Sequence, residues 1–212
     1  MKLAELFTNS VQHTNKGEKM NKTILFGAVV LSLLALFGYK SNAQIKEENN
    51  TVKNETPKIL IAYYSYSGNT KEVAEAIHKL VGGDLFEIKT EGSYPEEYRP
   101  MTTQAKKEID AGYRPKLTTA VTDITQYDVV FLGSPNWWGT ITPQVSSFLE
   151  TYRLNGKKVI PFITHGGGGA QHTVTDITAQ CQGCDVNSNA WIGYGSRTTG
   201  LSDWLKDLGF SN

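Results

Sequence analysis

The first candidate for chemistry in this sequence is a short polar loop between an apolar run and a helical pattern. Hydroxyl groups and the backbone N–H groups of a helix N-terminus can together surround a phosphate without a cationic side chain. A glycine inside such a loop lets the backbone approach the anion closely. We therefore predict a phosphate site here, with ordinary helix capping as the alternative. The loop consists of Ser65, Tyr66, Ser67, Gly68, Asn69 and Thr70.

A second loop places two tryptophans side by side after another apolar run. An exposed pair of indoles is costly unless something flat covers them, so the pattern favours a planar aromatic ligand. The alternative is that both indoles fold down onto neighbouring helices. The residues of this loop are Pro135, Asn136, Trp137, Trp138 and Gly139.

A third loop contains a histidine followed by four glycines. Consecutive glycines lose much conformational entropy on folding, so close approach of the backbone to a ligand, or real mobility, explains them better than chance. His165 can donate to that ligand or assist proton transfer, and it is the one catalytic candidate; a capping or merely exposed histidine is the alternative. The predicted binding residues here are Thr164, His165, Gly166, Gly167 and Gly168.

Other familiar motifs are absent from the sequence. It has neither the G-x-x-x-x-G-K-[ST] loop of ATPases nor the G-x-G-x-x-G dinucleotide fingerprint. Its four histidines have no spacing typical of a metal site, so no metal is predicted. Cys181 and Cys184 follow a predicted helix and precede an edge strand, which is not the context of a thioredoxin-like site. We expect a structural disulfide or two free thiols.

The three loops follow the first, third and fourth of five predicted strands. Continuous apolar runs such as KILIAYY indicate parallel strands that are buried on both faces. The predicted strands are 58–64, 85–89, 128–133, 158–164 and a weaker 186–192, and the predicted helices are 71–81, 101–111, 142–152, 169–180 and 201–208. This alternation predicts a three-layer, doubly wound α/β domain, in which ligands bind at the carboxyl ends of the strands.

The stretch 90–127 is unusually long and holds three tyrosines that stand close to prolines. These are Tyr94, Tyr98 and Tyr113. We expect them to pack this crossover against the sheet. The alternative is that they line a substrate entrance.

The three loops together look like those of the flavodoxin family. The resemblance rests on three motifs: S-x-S-G-N-T after the first strand, P-x-W-W-G after the third and T-H-G-G-G-G after the fourth. It covers residues 58–210. It implies a five-stranded parallel sheet of order 2-1-3-4-5 with FMN as cofactor. It also implies that residues 65–70 hold the FMN phosphate, while residues 135–139 and 164–168 form two walls around the isoalloxazine ring.

One departure from that family bears on function. Electron-carrier flavodoxins are strongly acidic, whereas residues 58–212 carry only slightly more acidic than basic side chains. Electrostatic steering of a basic partner is therefore weak. We expect an FMN-dependent oxidoreductase that serves a small quinone-like substrate or a redox partner protein. The alternatives are a non-catalytic FMN electron carrier and a flavin-free binding module.

The N-terminal segment has the pattern of an export signal. An uncharged apolar run of 14 residues, 24–37, follows Lys22 and precedes Ser41-Asn42-Ala43. It is too short for a typical membrane span, so we expect a cleavable signal peptide, cut after Ala43. An uncleaved anchor or a buried helix is the alternative, and translation starting at Met20 stays open. The expected organisation is 1–43 upstream segment and signal peptide, 44–57 linker and 58–212 folded domain.

The composition also bears on the classes of partner that the protein can have. The chain has 21 basic and 21 acidic side chains, so nothing suggests nucleic acid or an anionic membrane surface as a partner. The mature protein is expected in the periplasm or outside the cell, without a membrane contact. A homodimer is left open.

Overall fold

The computed structural model describes residues 56–210 of the 212-residue chain. The expected signal peptide and almost all of the expected linker lie outside the described residues. The strands are β1 (Ile59–Tyr63), β2 (Asp84–Glu87), β3 (Val129–Pro135), β4 (Lys158–His165), β5 (Asp185–Val186) and β6 (Trp191–Tyr194). The helices are α1 (Asn69–Val81), α2 (Tyr98–Asp110), α3 (Pro143–Thr151), α4 (Thr173–Gln180) and α5 (Leu201–Asp207).

All strand pairs in the sheet are parallel, and the order is β2-β1-β3-β4-β5. The predicted strand order and the flavodoxin-like α/β fold are therefore confirmed. Because the strands are parallel, the segments that follow β1, β3 and β4 leave the sheet at the same edge. The three candidate loops lie in these segments and in the residues next to them: Pro135, Thr164 and His165 belong to the ends of β3 and β4, and Asn69 and Thr70 begin α1.

The sheet separates two hydrophobic cores, as expected for strands buried on both faces. Side chains along β1 alternate between them: Ile59 and Ile61 pack with residues of α1 and α5, whereas Leu60 and Ala62 pack with residues of α3 and α4. All five residues of β1 are buried. This alternation explains why the central strands read as unbroken apolar runs.

The predicted strand 186–192 is wrong in detail, because two short strands replace it. β5 pairs with the first residues of β4 and β6 pairs with its last four, so both occupy the fifth position of the sheet. Between them the side chain of Asn187 accepts a hydrogen bond from the backbone N–H of Asn189 (2.8 Å). Such a local turn competes with strand pairing and interrupts the strand.

The predicted helix 169–180 is also too long, since α4 begins at Thr173. Gly169 has φ 69° and Gln171 has φ 47°, and neither value is compatible with a right-handed helix. The backbone N–H of His172 instead donates to the carbonyl oxygen of Gly139 (2.8 Å), which ties this segment to the tryptophan loop.

Cys181 and Cys184 form a disulfide directly after α4. The sequence left open a structural disulfide or two free thiols, and the structure has the disulfide. The bridge lies beside β5, which pairs with the start of β4, whereas the three candidate loops follow the ends of strands. Between residues 56 and 210, no helix is long and apolar enough to span a bilayer, and no group of acidic, histidine or cysteine residues is arranged to hold a metal ion.

Candidate functional site

The first loop leads from β1 into α1 through Gly68, which has φ 89° and is the N-cap residue. A residue with a Cβ is strained at this angle, so glycine is the residue that suits the turn. No side chain caps the helix. The backbone N–H groups of its first turn therefore face outward without a side-chain acceptor, as an anion site requires.

The hydroxyl groups of this loop are only partly satisfied. Ser67 Oγ accepts a hydrogen bond from Asn69 Nδ2 (3.1 Å), so its own proton remains free to donate. Ser65 Oγ is buried and has no hydrogen-bond partner among the described residues. A buried hydroxyl without a partner costs free energy, and an anion bound in the loop would supply an acceptor.

Thr70 links the first loop to the third. Its side chain is almost completely buried, and its Oγ1 lies 2.8 Å from Thr164 Oγ1 at the end of β4. One hydroxyl donates to the other, so one proton of the pair remains available. The pair holds the start of α1 against the third loop.

The second loop is a tight turn that separates the two tryptophans. Trp137 and Thr140 exchange backbone hydrogen bonds (3.0 and 3.1 Å), and the residues between them have positive φ: 55° at Trp138 and 90° at Gly139. A bulky residue in the left-handed region costs of order 1–3 kcal/mol. Asn136 stabilises the turn, because its side chain accepts from the N–H of Gly139 (2.9 Å) and donates to the carbonyl of Gly169 (2.6 Å).

The two indoles have different surroundings. Trp137 meets the rings of Tyr64, Tyr66 and Tyr94 edge-on, with centroids 5.8, 5.9 and 5.0 Å away. Trp138 is 57% exposed, and its indole Nε1 donates to the carbonyl oxygen of Thr102 in α2 (3.0 Å). Trp137 is thus packed within an aromatic cluster, while Trp138 is more than half exposed to solvent.

The third loop is organised around His165. Its Nδ1 accepts a hydrogen bond from the backbone N–H of Gly167 (2.9 Å). Nδ1 must therefore be unprotonated, which leaves the proton of a neutral imidazole on Nε2. The ring also meets Tyr194 of β6 edge-on at 5.8 Å. His165 can accordingly offer an N–H donor to a ligand.

These loops meet in one cleft of about 500 Å³, which we call the ligand cleft. Its size suits a small organic molecule. From the three predicted loops it is lined by Tyr66, Ser67, Asn69, Thr70, Pro135, Asn136, Trp137, Trp138, Thr164, His165 and Gly166. Gly139 and Gly168 line an adjoining recess, whereas Ser65, Gly68 and Gly167 line neither space.

Helix α2 forms a further wall of the ligand cleft, for which the sequence had indicated only Tyr98, as an alternative. The residues are Tyr98, Met101, Thr102 and Ala105. Tyr98 is 76% exposed, so one tyrosine of the 90–127 stretch does line the entrance, while Tyr94 packs against Trp137. The i, i+3, i+4, i+7 spacing of these four residues was visible in the sequence, but that spacing does not say what the helix faces.

The lining of the ligand cleft contains no Asp, Glu, Lys or Arg from the described part of the chain. A nearby cation is Lys106, whose Nζ lies 6.0 Å from the centre of the Trp138 ring. Burial raises the pKa of Tyr64, next to this cleft, well above its ordinary value. The cleft therefore offers a ligand hydroxyls, backbone groups, one imidazole and aromatic faces.

A doubly wound parallel sheet with a polar helix-start loop and an aromatic loop at one edge defines the flavodoxin class of α/β proteins. The chain belongs to the flavodoxin family: a family model described as Flavodoxin matches residues 58–208. The family and fold predicted from the three loop motifs are confirmed.

Solved structures are similar to the same part of the chain. A flavoprotein candidate from Bacteroides eggerthii DSM 20697 is 28% identical, with a TM-score of 0.63 over 72% of this chain and 98% of that one. A flavoprotein from Lactobacillus acidophilus NCFM, solved in complex with FMN, is 27% identical, with a TM-score of 0.56 over 70% of this chain and 98% of that one.

Proposed function

We propose that this chain is an exported FMN-binding oxidoreductase. It would pass electrons or hydride through the flavin to a small quinone-like acceptor or a redox partner protein. The observation that carries the proposal is the ligand cleft, which combines the uncapped start of α1 with an exposed indole. Membership of the flavodoxin family and the FMN complex of the Lactobacillus flavoprotein support FMN as the cofactor.

The residues present suit the two chemically different parts of FMN. Ser67, Thr70 and the first N–H groups of α1 can donate hydrogen bonds, and no carboxylate lies beside them in the lining of the cleft. This set is appropriate for a phosphate dianion. Trp138 and the glycine-rich loop after His165 offer a flat apolar surface and backbone groups for the ring.

Bound FMN would supply the redox chemistry, because its ring accepts electrons that no side chain here can accept. The protein holds the phosphate, positions the ring between the second and third loops and keeps a donor at His165 Nε2. A neutral imidazole with its proton on Nε2 can stabilise negative charge on a reduced ring. His165 is therefore the residue that we propose to assist the redox step.

The choice of an enzyme over a carrier rests on charge and access. No carboxylate lines the described cleft, so the lining gives a basic carrier partner nothing to recognise. Tyr98 is exposed at the cleft, where a planar acceptor could stack. A non-catalytic electron carrier is the second candidate, and a binding module without flavin is the third.

Steady-state turnover tests the enzymatic proposal. FMN-loaded protein is mixed with a nicotinamide donor and a soluble quinone, and loss of the donor is followed by absorbance. We expect catalysis above that of free FMN, and a reduced rate in His165→Ala with FMN still bound. Stoichiometric reduction without turnover across several quinones and donors would favour the carrier.

Export is proposed from the sequence of residues 22–43 alone. N-terminal sequencing of the protein from the host's extracytoplasmic fraction tests it. We expect a mature chain that begins at Gln44. Full-length protein retained in the cytoplasm would refute the proposal without affecting FMN binding.

A further inference from the structure

A second cavity, of about 400 Å³, shares no lining residue with the ligand cleft. It lies among the segment around Ser93, helix α2, the turn around Tyr113 and the start of α3. Its volume is enough for a small organic molecule.

One wall of this cavity carries a hydrogen-bond network with a missing partner. The Tyr94 hydroxyl donates to the Glu108 carboxylate, and Gln104 Nε2 donates to the other oxygen of that carboxylate (2.8 Å). Gln144 Nε2 donates to the Tyr94 oxygen (3.1 Å). Gln144 is only 3% exposed, and its carbonyl oxygen Oε1 accepts no hydrogen bond from any described residue.

The network therefore needs a donor rather than an acceptor. Tyr94 has one proton, which it gives to Glu108, so it cannot also satisfy Gln144. Burial and the bond to Glu108 raise the pKa of Tyr94, which keeps its hydroxyl protonated at neutral pH. A buried carbonyl without a donor is rare in folded proteins and calls for a partner.

The charges and surfaces of the lining indicate what kind of donor fits. The lining includes two carboxylates, those of Glu91 and Glu108, and one ammonium group, that of Lys107. Glu91 is already paired with Lys116 outside it (2.7 Å), so Glu108 is the carboxylate left to attract a cation. The rest of the lining includes the rings of Tyr113 and Pro115 and the side chain of Ala111, which suit an apolar body.

We propose that this cavity binds a small primary amine in its ammonium form. The ammonium group donates to the Gln144 carbonyl and the Glu108 carboxylate, and an aromatic or aliphatic body packs on the apolar lining. An ammonium has three donors and no acceptor, which matches a carbonyl oxygen and a carboxylate that both accept. Amine binding at this site does not require FMN, so it can be tested independently of the proposed function.

Titration with benzylammonium chloride tests the proposal. Binding is monitored by NMR through the amide resonances of the isotope-labelled full-length protein. We expect saturable shifts at Tyr94, Gln104 and Gln144, the same with and without bound FMN. Benzyl alcohol, which has the same body without the charge, should bind at least about tenfold more weakly, because a hydrogen bond to an ionised group is the stronger kind.

Two variants separate the site from general attraction of a cation. Glu108→Gln should weaken benzylammonium binding at least about tenfold. The matched control is Asp110→Asn on the same helix, an exposed carboxylate paired with Lys106 (2.5 Å), and it should leave binding unchanged. Gln144→Leu removes the open carbonyl and should also weaken binding, with urea unfolding confirming that each variant is folded.

Three results would overturn the proposal. The first is the absence of saturable shifts at the cavity residues. The second is a set of shifts confined to ligand-cleft residues such as Thr102. The third is equal binding by the folded Glu108→Gln and Asp110→Asn variants.

Discussion

The hydroxyl oxygens of Thr70 and Thr164 lie 2.8 Å apart in the protein interior, although 94 positions separate the residues in sequence. Thr70 belongs to the first turn of α1 and Thr164 to the end of β4. The contact fixes the predicted phosphate loop against the loop that carries His165. Both parts of the ligand cleft are thus positioned before any ligand binds, which lowers the entropic cost of binding.

Removing the Thr70 hydroxyl should weaken FMN binding. Thr70→Ala is expected to cost about 1–3 kcal/mol of FMN binding free energy, because it removes the hydrogen bond that we propose between this hydroxyl and the charged phosphate. Thr70→Ser keeps the hydroxyl and is the matched control. Quenching of FMN fluorescence on titration gives both affinities, and equal affinity of Thr70→Ala and the unmodified protein would refute this role of Thr70.

The two tryptophans should respond differently to truncation. Trp137→Ala is expected to lower the free energy of unfolding by about 3 kcal/mol, because it removes the ring that three tyrosines contact. Trp138→Ala is expected to weaken FMN binding more than it lowers apoprotein stability, since its ring is mostly exposed. Urea unfolding of the apoproteins and FMN titration give the four values. A larger loss of FMN affinity in Trp137→Ala, when that variant is folded, would contradict the assignment.

Backbone strain at Trp138 gives a separate prediction. Asparagine tolerates a φ of 55° better than alanine does, so apo Trp138→Asn should be more stable than apo Trp138→Ala by about 1 kcal/mol. Both variants lose the indole and its bond to Thr102, so the comparison isolates the backbone. Equal urea midpoints with equal denaturant dependence would show that position 138 stores no strain.

Alkaline pH should destabilise the domain because two buried tyrosines must stay protonated in the folded state. Burial raises the pKa of Tyr63 to about 12, and burial together with the hydrogen bond to Asp84 raises that of Tyr127 to about 12. Folding therefore favours the protonated phenols. Their contribution to the free energy of unfolding is fully present below about pH 10 and is lost as the pH rises from about 10 to 12. Urea unfolding at a series of pH values measures the loss. Tyr127→Phe should flatten the pH dependence, and an unchanged slope would contradict the contribution of Tyr127.

The disulfide should matter for stability and not for the cofactor. Reduction of Cys181–Cys184 is expected to lower the free energy of unfolding by about 2 kcal/mol, as the chain-entropy relation gives for so short a loop. FMN affinity should stay the same, because the bridge lies beside the start of β4 and the ligand cleft lies beyond its end. A Cys181→Ala/Cys184→Ala variant provides the reagent-free comparison. A change in FMN affinity on reduction would instead indicate coupling between the thiols and the flavin site.

Much of the architecture was predictable because the central strands are buried on both faces. Runs such as 58–64 and 128–133 have no polar face, and that pattern is typical of parallel strands in α/β domains. Once the strands were placed, the fold required the loops after the first, third and fourth strands to meet. The family resemblance and the strand order followed from these loops.

The details that failed depend on contacts between distant residues. The turn at Asn187 breaks the fifth strand through a side-chain bond, and left-handed residues before Thr173 delay α4. The local sequence does not indicate that Trp137 and Trp138 have different environments. It also does not indicate that α2 forms a wall of the ligand cleft. The carbonyl of Thr102 that holds the Trp138 indole lies 36 residues away in sequence.

The visible absorption spectrum of the purified protein tests the central claim most directly. It is recorded on the protein as isolated, and again after incubation with FMN and removal of the excess. We predict a yellow protein with the spectrum of bound oxidised flavin, close to one FMN per chain after incubation, and reduced retention in Thr70→Ala with Thr70→Ser as control. A folded protein that stays colourless after incubation with FMN would contradict the account and leave a binding module without flavin as the remaining reading of this site.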